Sequence, residues 1–272
     1  MSSTLERHVV TLGGHPVGDG PAVVISDRVS LRDPGAALPA AVTLAEPASA
    51  ADLPAIAARA QGVIVGGAWT RDIPLVRAAA GLGLPVVVER HPAATLEEWL
   101  GVADYCAAEA GAQVILCEHA DLGLLSRART VSGRPVLADV TAHPGLSAAA
   151  VAAGADGLIV SPDGRPEAEE AVTLVGALLR PEAPATLAEC RQAIDRVDAA
   201  LATLLERRAA LAGRVQRLKP VGGFAGRDLA RERALVARMA ERAPALGEAR
   251  LAPVMNAVIE AGLHLAEEDM TG

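Results

Sequence analysis

The stretch TLAECRQAIDRVDAALATLLERRAALAGRVQRL, residues 186–218, decides the fold of one half of the chain. It contains no proline and only one glycine, Gly213, so little inside it opposes a helix. Its larger apolar residues recur at steps of three and four, the spacing of one helix face. These residues are Ile194, Val197, Leu201, Leu204, Leu205, Leu211, Val215 and Leu218. Thr186 and Glu189 form a capping-box pattern, which predicts that the helix begins there.

Such a helix is roughly 50 Å long at 1.5 Å per residue, which is too long for a compact unit of about 90 residues. We therefore expect a second copy of the chain to lie along it. The segment Pro220-Val-Gly-Gly-Phe-Ala-Gly interrupts the helix, and two more helices are predicted near Asp228–Glu241 and Glu248–Glu267. Residues 186–272 are thus predicted to form an all-α, three-helix domain that intertwines with a second copy.

The first 180 residues follow a different pattern, in which short β-branched runs alternate with Ala/Leu-rich stretches. This alternation predicts βα units around a parallel sheet. The seven runs are Ala22–Ser26, Ala41–Glu46, Gly62–Gly67, Pro85–Arg90, Gln113–Glu118, Pro135–Val140 and Asp156–Ser161. A closed (β/α)8 barrel needs eight strands, so residues 1–180 are predicted to form an incomplete TIM-barrel-like α/β domain.

Two segments beside these runs carry further predictions. The link Arg28–Pro39 is expected to be too short for a helix and another strand, whereas short extra strands are expected at His8–Leu12 and around His15–Val17. Residues 181–185, which include Pro-Glu-Ala-Pro, are predicted to be a linker between the two domains, because proline is incompatible with a continuing helix.

Composition excludes several classes of protein. The formal net charge is −8, which argues against a nucleic-acid partner because phosphate binding needs a cationic surface. The three cysteines, Cys106, Cys117 and Cys190, show no short spacing, which favours free thiols in a reducing compartment. Neither a signal core nor an apolar run of membrane-spanning length occurs in the sequence. We therefore expect a cytoplasmic protein without a membrane partner.

Two cations on the long helix share a face. Arg208 and Lys219 are eleven residues apart, roughly 1100° of rotation, and between them lie Leu211, Ala212 and Val215. Such a stripe could bracket a small dianion over an apolar floor. On spacing alone, two surface cations beside a core stripe are the simpler interpretation.

Other charged residues extend this pattern. Arg191 points about 100° away from the stripe, so within one chain it is expected to miss this site and, in an antiparallel dimer, to reach the neighbour's site. On the second helix Asp228, Arg231 and Glu232 share a face at i, i+3 and i+4. By itself such a cluster is ordinary for a solvated helix.

Four motifs follow one another along this half of the chain: Cys190-Arg-Gln-Ala-Ile-Asp-Arg-Val-Asp, Leu204-Leu-Glu-Arg-Arg, Lys219 and Arg227-Asp-Leu-Ala-Arg-Glu-Arg. Their combination resembles the all-helical chorismate mutase family. The resemblance implies a homodimer through the C-terminal helices with two sites for chorismate. It implies that Arg191 reaches the partner's site to bind substrate, that Arg208 and Arg231 help to bind the substrate carboxylates, and that Lys219 binds the ether oxygen. It assigns Asp228 and Glu232 to the region of the substrate hydroxyl.

The third helix departs from the family pattern. Gly262 stands where a small hydroxyl residue is usual, and Ala266 stands where a Gln or Glu normally donates to the ether oxygen, with Glu267 next. We expect Glu267 to supply this group after a small shift, or the site to be weaker. No cofactor or metal is expected in this domain, because the rearrangement needs a folded substrate and stabilised charge but no nucleophile.

Several segments of the first domain share a pattern with one enzyme family; they include Gly83–Leu100, Val114–Glu118, Pro135–Asp139 and Ala152–Val160. With these segments the domain resembles the metal-dependent enzyme 3-deoxy-D-arabino-heptulosonate 7-phosphate (DAHP) synthase. The phosphate-binding Lys-Pro-Arg-Thr-Ser segment has no counterpart, and the last metal aspartate has none. Positions matching functional residues are occupied by Val29, Glu89, Ala142 and Ser161. A catalytically inactive domain without a metal is therefore expected, and Cys117, Glu118, His119 and His143 are expected to be structural.

The predicted function is conversion of chorismate to prephenate, with the first domain as a scaffold or regulatory element. Two alternatives remain at this point. The chain could be a weakly catalytic or non-catalytic regulatory partner that docks on a separate DAHP synthase or another enzyme of the shikimate pathway. It could also be a mutase for 4-amino-4-deoxychorismate.

Overall fold

The computed structural model describes residues 7–111, 113–119, 121–180, 182, 184–219 and 221–271. The chain divides into two compact units, Met1–Cys190 and Arg191–Gly272. Pro181 and Ala183 of the predicted linker lie outside the described residues, as does Pro220.

The strands are β1 (Val10–Leu12), β2 (His15–Val17), β3 (Val23–Ile25), β4 (Arg28–Ser30), β5 (Val42–Glu46), β6 (Ala60–Val65), β7 (Val86–Glu89), β8 (Val114–Glu118), β9 (Val136–Asp139) and β10 (Gly157–Ile159). The helices are α1 (Leu53–Arg59), α2 (Ile73–Ala80), α3 (Leu96–Ala110), α4 (Leu122–Ser132), α5 (Ser147–Ala152), α6 (Arg165–Leu179), α7 (Leu187–Leu218), α8 (Leu229–Arg242) and α9 (Gly247–Thr271).

The first unit is built on an eight-stranded parallel sheet in the order β3-β10-β9-β8-β7-β6-β5-β4. Its two edge strands, β3 and β4, are consecutive in the chain and are separated only by Ser26 and Asp27. β3 pairs with β10 and β4 pairs with β5. The first half of this strand segment therefore bonds to β10 and its second half bonds to β5, which brings the two edges of the sheet together into a nearly closed barrel.

The bend between β3 and β4 adds one short strand that the sequence pattern did not predict. The link Arg28–Pro39 was expected to be too short for a helix and another strand; it holds no helix, but its first three residues, Arg28–Ser30, form β4. The reason is that β4 needs no βα unit of its own, because it continues the first strand across a two-residue bend. The TIM-barrel-like class is confirmed: all seven predicted runs contain strands of the sheet, and β4 extends the first of them. The expected extra strands form an antiparallel hairpin, β1–β2.

The barrel interior is filled by the alternate side chains of the strands. Successive strand residues point to opposite faces, so one set faces inward and the other packs under the helices. The inward set and the hairpin β1–β2 form one buried cluster: Val10, Leu12, Val17, Ile25, Leu44, Ile64, Val87, Ile115, Cys117, Leu137 and Ile159. Because apolar residues fill the centre, polar chemistry in the barrel is confined to the strand ends.

Charged residues lie at both ends of the strands. Just before β10, the fully buried Asp156 pairs with Arg7 at 2.9 Å, Arg129 at 3.4 Å and Arg180 at 3.6 Å. At the carboxyl ends of four strands lie the buried acids Glu46, Glu89, Glu118 and Asp139. In (β/α)8 barrels this carboxyl end is the face where binding sites form.

The second unit consists of α7, α8 and α9, as predicted. The N-terminus of α7 is closed by the predicted capping box: Glu189 N–H donates to Thr186 Oγ1 at 3.2 Å and Thr186 N–H donates to Glu189 Oε2 at 3.1 Å. Of the α7 residues only Ala200 is buried, so most of its apolar stripe remains uncovered within one chain. None of the described helices is both long and apolar enough to cross a bilayer.

Candidate functional site

A cavity of about 340 Å³ lies between α7, α8 and α9. Each helix contributes residues at helical spacing, so the walls follow from the amphipathic pattern of each element. The lining residues are Arg208, Leu211, Ala212, Val215, Gln216, Lys219, Gly223, Gly226, Arg227, Asp228, Arg231, Glu232, Leu235, Arg238, Ile259 and Leu263. The cavity thus combines an apolar floor with a high density of cations.

Four of these cations carry charge that no carboxylate of the described residues neutralises. Arg208 Nη1 donates to the Val258 carbonyl at 3.3 Å, and Lys219 Nζ donates to the Gly226 carbonyl at 2.8 Å. Both partners are neutral, so they orient the cations and leave their charge available. Among the described residues, the Arg231 and Arg238 guanidinium groups have no ion-pair partner. An anionic ligand would therefore meet several open donors over an apolar surface.

The acidic residues of the cavity are occupied by other groups. Asp228 caps α8 by accepting from Arg231 N–H at 3.0 Å. Glu232 accepts two bonds from Arg227, at 2.7 and 3.1 Å, and the hydrogen bond to Glu232 raises the pKa of Arg227. Arg227 also pairs with Glu260 at 3.2 Å. Arg227 is therefore committed to holding carboxylates, whereas the other cavity cations are not.

A glycine-rich turn closes one end of the cavity. Gly223 has a φ of 64°, a left-handed conformation that favours glycine. Its N–H donates to Gln216 Oε1 at 3.0 Å, and the same turn accepts from Lys219 through Gly226. A Cβ on Gly226 would lie 2.1 Å from the Val221 carbonyl oxygen, so this position cannot carry a side chain. The turn thus fixes the last turn of α7 and its lysine.

The mouth of the barrel shows the opposite electrostatic arrangement. Arg28 lies between three acids: it contacts Asp139, lies 2.7 Å from Glu89 and lies 3.8 Å from Glu46. Arg90 is likewise bound to Glu118, which raises the pKa of Arg90. Arg28 and Arg90 are thereby neutralised by the protein itself.

Excess negative charge remains around Glu89. Burial raises the pKa of the Glu89 carboxyl, although Arg28 and His119 oppose this shift. The 2.7 Å contact to Arg28 lacks hydrogen-bond geometry, so Glu89 Oε1 accepts no hydrogen bond. The potential ligand atoms of Glu89, His119 and Asp139 all lie within 4.8 Å of one another. Arg28 contacts both of these carboxylates, so a guanidinium already occupies the place of a cation.

The two units of the chain are similar to different known proteins. Residues 190–267 match the model of a family described as chorismate mutase type II. The C-terminal unit belongs to this family. A phospho-2-dehydro-3-deoxyheptonate aldolase of Thermotoga maritima is 30% identical over 141 residues, which cover 45% of this chain and 41% of the aldolase.

Two solved structures have the fold of the first unit. A truncated 3-deoxy-D-arabino-heptulosonate 7-phosphate synthase of Thermotoga maritima matches with a TM-score of 0.56 and 22% identity, covering 64% of this chain and 94% of that chain. A phospho-2-dehydro-3-deoxyheptonate aldolase (DAHP synthase) of the same organism matches with a TM-score of 0.53 and 23% identity, covering 59% and 68%. These likenesses establish the fold of a DAHP synthase-like barrel ahead of the chorismate mutase domain.

Most predicted site residues of the chorismate mutase domain lie together. Arg208, Lys219, Asp228, Arg231 and Glu232 all line the cavity. The separation of Arg208 and Lys219 by three helical turns, with Leu211 and Val215 between them, is the arrangement that their spacing predicts.

Three predicted residues lie elsewhere. Arg191 is exposed on α7, roughly 25 Å along the helix from Arg208. Gly262 faces α7, because a Cβ there would lie 3.8 Å from Arg208 Nη1. Glu267 Oε1 would lie 2.7 Å from a Cβ on Gly223, so this carboxylate packs beside the turn, outside the cavity lining formed by the described residues.

Sequence reasoning missed three polar residues of the cavity, Gln216, Arg227 and Arg238. Gln216 and Arg238 were detectable by spacing. Gln216 lies one turn before Lys219, and Arg238 lies two turns after Arg231 on the same face of α8. Arg28 at the barrel mouth was missed because its role depends on the bend between β3 and β4, which no local pattern indicates.

The raised pKa of Glu89 predicts a pH effect on the stability of the barrel. In the folded state the Glu89 carboxyl keeps its proton to a higher pH than its ordinary pKa of 4.5 would allow. The free energy of unfolding therefore falls as the pH rises from about 4.5 through the folded pKa. We expect Glu89→Gln to remove this contribution, so that the variant gains stability relative to wild type as the pH rises.

Urea unfolding followed by tryptophan fluorescence measures this effect, since both tryptophans, Trp69 and Trp99, are buried in the barrel unit. Glu97→Gln, which removes an exposed carboxylate on α3, is the matched control. Parallel stability–pH curves for wild type and Glu89→Gln would contradict the assignment.

Proposed function

We propose that the chain is a chorismate mutase that converts chorismate to prephenate in the cavity between α7, α8 and α9. The observation that carries this proposal is the set of cations, Arg208, Lys219 and Arg231, whose charge no described carboxylate neutralises. A volume of about 340 Å³ suits a small dicarboxylate, and binding sites of this size are ordinary for metabolites.

The rearrangement requires little chemistry from the protein itself. Within the substrate one C–O bond breaks while one C–C bond forms, and no proton or group is transferred to the protein. The site must hold the substrate in its folded conformer and stabilise the negative charge that grows on the departing ether oxygen. Apolar walls from Leu211, Val215, Leu235, Ile259 and Leu263 exclude water and strengthen each electrostatic contact.

Each cation has a distinct role in this proposal. Arg208 and Arg231 bind the substrate carboxylates, because a guanidinium fork matches a carboxylate in two parallel hydrogen bonds. Lys219 donates to the ether oxygen. One of its three N–H groups is already held by Gly226, so its ammonium is oriented before the substrate arrives, and donor positioning of this kind avoids reorganisation during the reaction.

The proposal also makes the site a product of two chains. Within one chain the first half of α7 exposes large apolar side chains, among them Ile194 at 58%, Val197 at 53% and Leu201 at 50%. Arg191 lies in the same half and does not line the cavity. A second copy packed along this stripe would cover the apolar residues and carry its Arg191 to the cavity. The homodimer is therefore part of the proposed function.

The barrel is proposed to act as a scaffold or regulatory domain without DAHP synthase activity. The positions that match metal ligands of that enzyme carry Val29, Ala142 and Ser161, whose Oγ caps a turn by accepting from Gly164 N–H at 3.3 Å. Arg28 binds the acids that remain at the mouth. These residues do not fit a catalytic metal, and a phosphate ligand would meet Glu89 where a cation would be needed.

Two further functions stay as alternatives. Docking on a separate DAHP synthase has no observation in its favour. The 4-amino analogue of chorismate would need a free acid beside its ammonium group, whereas Asp228 and Glu232 are each held by other groups. Chorismate is therefore the preferred substrate of the proposal, and a parallel assay with the amino analogue decides between the two.

Removal of the ether-oxygen or carboxylate donor tests the site. We expect Lys219→Ala and Arg208→Ala each to lower kcat/KM for prephenate formation by roughly 100-fold or more, because each removes a donor that the transition state needs. Arg217→Ala, which changes an exposed cation of the same helix outside the cavity, should leave the rate close to wild type. Unchanged rates in both cavity variants would refute the site.

Mixing two inactive variants tests whether the site is shared. A dimer of one Arg191→Ala chain and one Lys219→Ala chain has one site with both defects and one intact site. When equal amounts of the two chains pair at random, about half of the dimers are mixed, so about a quarter of all sites are intact. The mixture should therefore show about a quarter of the activity of wild type at the same total concentration. The assay is prephenate formation after the two purified variants are unfolded and refolded together, with each variant refolded alone as its control. No recovery, despite dimers of normal size, would contradict a shared site.

A further inference from the structure

Gln216 is a second polar residue at the lysine end of the cavity. It precedes Lys219 by three residues on α7, so the two side chains lie on neighbouring parts of one face, and both line the cavity. The side chain of Gln216 is partly buried. Its position therefore places an amide group beside the ammonium that is proposed to face the ether oxygen.

Both side chains are fixed by the same short turn. Gly223 N–H donates to Gln216 Oε1 at 3.0 Å, and Lys219 Nζ donates to the Gly226 carbonyl at 2.8 Å. A Cβ on Gly222 would lie 3.5 Å from Gln216 Oε1, so the turn backbone packs directly on the amide. Because the turn spans only a few residues, the two head groups lie at one end of the cavity.

The contact with Gly223 also determines which way the amide is oriented. A backbone N–H needs an acceptor, so the oxygen of Gln216 must face the turn and its NH2 group must face elsewhere. Within the described residues this NH2 group has no hydrogen-bond partner. The amide oxygen of Gln216 is thus held by the turn, while the two N–H donors of the same amide remain open.

The third helix leaves a need for such a donor. The charge that grows on the ether oxygen is best stabilised by several donors placed in advance. On α9, Gly262 and Ala266 bring no polar side chain, and Glu267 packs beside the turn. Given the proposed mutase function, on which this step rests, we infer that Gln216 is a catalytic residue whose Nε2 donates to the ether oxygen together with Lys219. No proton leaves the amide, and the bond changes stay within the substrate.

The competing role for Gln216 is purely structural, as the anchor of the turn. Gln216→Glu separates the two roles, because a carboxylate still accepts from Gly223 N–H but cannot donate when ionised. Gln216→Met removes both the acceptor and the donor at similar length. Gln113→Glu, at an exposed position in the barrel unit, controls for the added charge. The full-length chain is used throughout, with kcat and KM for prephenate formation measured as a function of pH.

We expect both Gln216 variants to lose roughly 100-fold in kcat with a smaller change in KM. Only Gln216→Glu should recover activity as the pH falls toward about 4.3, where a glutamate regains its proton and can donate. If Gln216→Glu keeps wild-type kcat while Gln216→Met is impaired, the anchor role is sufficient and the inference is overturned. Equal, pH-independent activity of wild type and both variants overturns it as well.

Failure of the inference and failure of the proposed function are distinguishable. A wild-type chain that forms no prephenate would refute the function whatever the variants do. A wild-type chain that forms prephenate, loses activity in Lys219→Ala and keeps it in Gln216→Glu would refute only the role of Gln216.

Discussion

A cation can act on a ligand only where the protein has not already neutralised it, and this constraint separates the two units of the chain. At the barrel mouth, Arg28 and Arg90 are bound by Glu89, Asp139 and Glu118. In the helical cavity, Arg208 and Lys219 are held only by backbone carbonyls. Both sets of residues are positively charged, but only the cations of the helical cavity remain available to bind an anionic ligand. In a chain of net charge −8, such open cations need a specific reason, and an anionic ligand supplies one.

The fold explains how each arrangement arises. The barrel brings the carboxyl ends of its strands to one rim, and the bend between β3 and β4 carries Arg28 into the midst of the acids there. The helical unit instead aligns Arg208 and Lys219 along α7 and completes the cavity with α8 and α9. Arg227 is important in this unit because it takes up Glu232 and Glu260. Both acids are thus paired with Arg227, and no described carboxylate pairs with the open cations of the cavity.

Local patterns in the sequence predict the features of the fold and of the cavity that depend on helix or strand periodicity. The bounds of α7, its capping box and the common face of Arg208 and Lys219 follow from helical spacing, and the βα units follow from the β-branched runs. The strand Arg28–Ser30 escaped prediction, because barrel closure is a long-range pairing with β5. The anchoring of Gln216 by Gly223 was equally hidden, since it depends on the path of a glycine-rich turn. A shared site with Arg191 stays a prediction, because it needs a second chain.

A crystal structure of the full chain with a bicyclic dicarboxylate ether that mimics the transition state of the rearrangement would show whether the open cations bind this ligand. We expect the ligand in the cavity between α7, α8 and α9. Its carboxylates should lie on Arg208, Arg231 and Arg191 of a second copy, and its ether oxygen should lie at Lys219. A ligand bound at the barrel mouth, or an empty cavity with Arg191 of each copy in solvent, would show that this cavity is not the mutase site.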